Sequence, residues 1–127
     1  MPRTDTFWRK LFLVAAVFNV GAAALLAFGH RMLASRLGMG PAAEPALYLH
    51  VLTVAIAIFG WGYYMVSRDL TQTALVRLGA WAKLGVVAVI CGYWLDGQAT
   101  WHLPLLSMGD VVFAALFFTF LSQRSRA

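Results

Sequence analysis

The sequence predicts an all-α membrane protein: an antiparallel bundle of four transmembrane helices with both termini cytoplasmic. Three observations point there. Of 127 residues, 61% are hydrophobic and only 12% charged, with a mean hydropathy of +0.75; so few polar side chains would not cover a soluble domain. The apolar residues gather into four runs, each close to the roughly 20 residues that cross hydrocarbon. Short polar connections separate the runs, and short loops make neighbouring helices alternate in direction. The length suits one domain, residues 1–127.

The first predicted helix covers about residues 7–29. "MPRTDTFWRK" precedes it like the basic start of a signal peptide. Its apolar core is about 19 residues, beyond the 7–15 of a cleaved signal, so it reads as a retained helix. After it, "HRMLASRLGMGPAAEP" begins with residues suited to a short interfacial helix, Met32, Leu33 and Leu37 facing lipid, which "GMGP" and Pro45 break. The second helix covers about 46–66, "ALYLHVLTVAIAIFGWGYYMV". The polar "SRDLTQT" follows, where Thr71 or Thr73 is placed to cap the third helix, about 74–95. "DGQATWH" starts with an Asp-Gly turn, and the fourth helix covers about 103–121.

Lys and Arg placement sets orientation. Arg3, Arg9, Lys10, Arg68, Arg77, Arg124 and Arg126 fall on one side of four alternating spans. The other side has Arg31 and Arg36, beside Glu44 and Asp96. The basic side is the cytoplasmic one. The net charge of +5 therefore reports topology rather than nucleic-acid binding. Trp8, Tyr48, Tyr63, Tyr64, Trp94 and Trp101 lie near predicted helix ends, as an aromatic belt requires. Cys91, the single cysteine, falls within an apolar run, where a thiol is inert packing; no disulfide, CxxC or zinc-finger pair exists.

Lys83 is the residue that asks for an explanation. It sits at least about nine residues from either end of its helix, roughly 13 Å or more from each surface, too deep for its stem to reach water. A central Lys costs about 2.5–3.5 kcal/mol on insertion, and each Leu, Ile or Val returns about 0.3–0.6. The nine such residues in this run, Leu75 to Leu95, offset it. Once inserted, the ammonium still needs partners, because lipid offers none. Asp110 and Asn19 lie at similar depth, and Ser107 shares a face with Asp110. The sequence thus predicts a Lys83–Asp110 ion pair, with Asn19 or Ser107 taking up leftover donors. A neutral pair suits a clamp that fixes helix register; the other reading is a relay or substrate site.

Two further clusters carry readings of their own. His30, His50 and His102 fall on the non-cytoplasmic rim, where imidazoles that converged would ligate haem or a transition metal, with Asp96, Met32 and Met39 as additional ligands. The alternative is interfacial histidines with one wet edge. In "FGWGYYM", Gly60 and Gly62 permit close helix approach, while Trp61, Tyr63 and Tyr64 suit either the belt or an aromatic-lined lipid or quinone pocket. The chain has no GxSxG, Walker, GxGxxG or HExxH motif and no second carboxylate near Asp110 along the chain, so it offers no catalytic residues.

"LGAWAKLGVVAVICGYWLDGQ", "GDVVFAALFFTFL" and "GWGYYMVSRD" resemble a group of small bacterial four-helix membrane proteins without assigned function. Lys83, Gly109 and Asp110 are the positions that match. In size and helix count the chain is more distantly similar to the DoxX-like family, some of whose members accompany quinone-linked oxidoreductases; that similarity carries over no catalytic residue. The resemblance implies a multi-pass protein of the bacterial inner membrane. Three functions remain open on the sequence. One is a non-catalytic accessory or interaction subunit that meets a membrane partner or a second copy. Another is a small oligomeric transporter or channel using Lys83 and Asp110. The third is a redox, haem or metal component using the histidines.

Overall fold

The computed structural model describes residues 3–37, 47–98 and 100–125. Four helices follow in order: α1 (Arg3–Leu37), α2 (Leu47–Arg68), α3 (Thr73–Leu95) and α4 (His102–Ser125). Each contains a stretch long and apolar enough to cross a membrane, and only 22–28% of each stretch is buried within the protein. Large apolar side chains such as Phe28, Val17, Val54 and Leu105 cover the outside. A water-soluble bundle would hide one stripe and expose polar faces; helices that are apolar all round need an apolar surrounding.

Gly29 breaks α1 with non-helical angles (φ −119°, ψ 15°), and the helix resumes through Leu37. The apolar span ends at that kink, so the residues beyond it form the helical continuation expected of an interfacial segment. Met32 is exposed there; the side chains of Leu33 and Leu37, the "GMGP" break and Pro45 lie outside the described residues. α4 runs about a turn further than predicted, because its end is docked. Gln123 accepts the indole N–H of Trp8 at 3.2 Å, and Arg124 pairs with Asp5 at 3.0 Å. Trp8 is therefore buried rather than part of the belt.

The turns are built locally. Neither Thr71 nor Thr73 caps α3, whose N-cap is Gln72 with no side-chain bond. Asp69 organises this turn instead, accepting from the Thr71 amide at 3.0 Å and the Thr71 hydroxyl at 2.6 Å. The reason is spacing, since an Asp carboxylate reaches the amide two residues on. These bonds hold the Asp69 carboxyl below its ordinary range, the Thr71 hydroxyl contributing most. At the other end, Gly97 adopts φ +79°, and the amides of Gly97 and Gln98 return to the carbonyls of Trp94 and Tyr93 at 3.0 and 2.9 Å. This is a Schellman closure, and the Asp-Gly signal supplied the residue it needs.

α1 packs chiefly on α2, and α3 on α4; contacts between the two pairs are sparser. Gly60 makes the first pairing close. A β-carbon there would come within 3.0 Å of Val20 and 3.2 Å of the Ala16 carbonyl. The pairs join through a core of Phe12, Tyr63, Val66, Val76, Ala80, Phe117 and Phe120. Phe12 stacks on Phe117 at 5.0 Å and meets Phe120 edge-on at 5.1 Å, while Tyr63 leans on Phe117 at 5.1 Å. In lipid such packing is held by dispersion and close fit more than by expulsion of water.

Candidate functional site

Lys83 lies ten residues after the start of α3 and twelve before its end, about 15 and 18 Å along the axis. Its Nζ donates to Asp110 Oδ1 at 2.8 Å and to Asn19 Oδ1 at 3.2 Å. Asn19 Nδ2 in turn donates to the Ile56 carbonyl at 3.2 Å. One continuous network thus links α3, α4, α1 and α2. The Lys83 side chain is 5% exposed and that of Asp110 20%. Phe18, Phe113 and Tyr63 place their ring centroids 5.2, 5.2 and 5.4 Å from the ammonium. The rings present their negative faces to the charge and exclude competing solvent.

The expected ion pair is therefore present, with Asn19 as the third member. Ser107 is not one. It is buried one turn from Asp110, but its hydroxyl donates to the Pro104 carbonyl at 2.7 Å. A serine near the start of a helix satisfies itself on its own backbone, three residues back, without crossing to a neighbour. The rings of Phe18 and Phe113 are the residues the sequence reading missed. Phe113 is three residues after Asp110, hence on its face, and Phe18 directly precedes Asn19.

Trp61 and Tyr64 are exposed at 63% and 47% and border an outer groove with Leu13, Val17 and Gly21. Tyr63 departs from them, buried at 1%. It fills the space left by Gly79, where a β-carbon would lie 2.5 Å from its Cε1. The three aromatics thus do not share one pocket. Trp94 and Trp101 are exposed near helix ends, as is Tyr64; the Tyr48 side chain lies outside the described residues. His50 is exposed, and His102 stacks on Trp101 at 3.9 Å with Nδ1 3.1 Å from the Thr100 hydroxyl. The His30 side chain lies outside the described residues, as does Met39. Among the described residues, no group of three or more His, Cys, Asp and Glu comes together.

Fold and site define a class: a four-helix protein of multi-pass membrane type with an ion pair buried among its helices. Compared with models of known families, with characterised proteins and with solved structures, the chain matches none.

Proposed function

We propose that this chain is a non-catalytic accessory or interaction subunit of the bacterial inner membrane, whose Lys83–Asp110 pair fixes helix packing. The observation that carries this reading is the network of Lys83, Asp110, Asn19 and the Ile56 carbonyl, which touches every helix and is net neutral. In a clamp the two charges find each other inside the bundle, as here. The helices alternate in direction and both termini are cytoplasmic. Contacts between Arg9 and the carbonyls of Ser67 and Arg68, and between Asp5 and Arg124, support this, because they gather the start of α1 with the ends of α2 and α4. The basic residues at that end support its cytoplasmic placement.

Association is supported by glycines that serve no internal contact. A β-carbon at Gly21, Gly62, Gly85 or Gly92 would meet nothing within 4 Å. Small residues on lipid-facing positions let a neighbouring helix approach closely. The test is native-lipid extraction of the tagged chain followed by cross-linking. A membrane partner or second copy is expected, and Gly85→Leu should weaken its capture without changing the thermal transition. A chain that stays solitary in native lipid rejects the reading.

A further inference from the structure

A half-open cavity of about 300 Å³ lies against the Lys83–Asp110 pair. Its polar end is formed by Asn19, Lys83 and Asp110, and its walls include Ala22, Ala55 and Ala82, whose small side chains leave the room. It faces the sparse seam between α2 and α3, where rim residues Leu52 and Val86 are 49% and 47% exposed. An ammonium carries three donors, and Lys83 spends two within the protein, on Asn19 and Asp110. Asp110 receives Lys83 on Oδ1, and its uncovered surface borders the cavity. The site thus offers one donor and spare carboxylate acceptor capacity at the end of an apolar slot.

We propose that this cavity binds a neutral, weakly polar, lipid-soluble molecule, a long-chain ketone or alcohol. Its oxygen meets Lys83 and Asp110, and its chain leaves between α2 and α3. Neutrality follows from the pair, which is already balanced: a charged guest would add an uncompensated charge in hydrocarbon. Weak polarity follows from depth. Phospholipid head groups stay at the bilayer surface, about 15 Å or more from Lys83 along its helix, whereas a ketone or alcohol dissolves nearer the centre. Size agrees, since the cavity is at the small end of ligand pockets, about 300–1,000 Å³. It admits a head and needs the open seam for a tail.

This inference rests on the membrane-spanning reading and not on the accessory role. The full chain, in phosphatidylcholine nanodiscs, is photolabelled with hexadecan-1-ol carrying a diazirine beside the hydroxyl, and adducts are mapped by mass spectrometry. Label is expected on Lys83, Ala82 or Val86. Excess hexadecan-2-one should suppress it at least about tenfold, the worth of a hydrogen bond to a charged group, and hexadecane should not. The cavity-filling variants Ala55→Phe and Ala22→Leu leave the ion pair untouched and should lose the label while keeping the helical spectrum; whichever retains it is decisive. Equal competition by hexadecane, or undiminished labelling of a filled variant, overturns the proposal in favour of acyl tails alone. Release of the chain from membranes by alkaline carbonate would instead sink the membrane reading.

Discussion

Lys83 and Asp110, on helices joined by the Asp96–Gly97 turn, meet through Nζ and Oδ1 at 2.8 Å. Because both charges are buried together, losing one strands the other. Lys83→Met and Asp110→Asn should each cost about 3–5 kcal/mol, and the double variant much less than their sum. Unfolding in detergent, followed by circular dichroism, measures the cycle. Simple additivity would mean that the two side chains act independently.

Asn19 should matter beyond its size. Asn19→Leu keeps the branched shape but removes the acceptor for Lys83 and the donor to Ile56. A loss of about 1–3 kcal/mol is expected, the range for a buried group left unsatisfied. A thermal transition unchanged by this substitution would take α1 out of the clamp.

Gly79 and Gly21 make a matched pair of probes. An alanine at 79 drives its β-carbon against the Tyr63 ring, so Gly79→Ala should destabilise by about 1–3 kcal/mol. At Gly21 the same change meets no neighbour within 4 Å and should leave the melting temperature unaltered or slightly raised. Tyr63→Leu combined with Gly79→Ala should recover part of the loss. Equal melting temperatures for the two alanine variants would contradict the packing.

Asp69 predicts a pH dependence. Its carboxyl is held low in the folded state, first by the Thr71 hydroxyl and then by the Thr71 amide. A depressed folded pKa stabilises at pH above the unfolded value, about 3.9, and that gain is lost as pH falls through the folded value. The melting temperature of Asp69→Asn should therefore trail the parent at neutral pH and converge with it in acid. A constant gap across that range would refute the assignment.

Topology is directly measurable. In a Cys91→Ser background, cysteines placed at Ser122 and at Gln98 should react with an impermeant maleimide from opposite faces of the membrane. Thr71→Cys should behave like Ser122→Cys. Labelling of Ser122→Cys and Gln98→Cys from one face would exclude alternating helices.

Much of this protein was legible one residue at a time. Apolar run lengths gave α2 and α3 to within a residue or two, while α1 and α4 run further than expected, and Asp-Gly marked the turn at Gly97. Lys83 announced its need for an anion, because no water is available at its depth. Tyr63 was harder. It belongs with Thr53, Gly60 and Ser67, all buried at helical spacing on α2, but in an apolar helix that stripe is masked by equally apolar neighbours. Ser107 and Thr71 were misplaced because short polar side chains settle on the nearest backbone group or carboxylate.

By itself the sequence determined that four apolar segments form helices and that a deep ammonium must be neutralised, since both are local costs that each segment meets wherever it packs. Only the tertiary structure decided that Asn19 rather than Ser107 completes the network, that Tyr63 turns inward over Gly79, and that a slot stays open beside Lys83. Those outcomes depend on which helix faces meet and how closely. In helices apolar on every side, that is settled by the fit of small residues against large ones and not by any hydrophobic pattern along the chain.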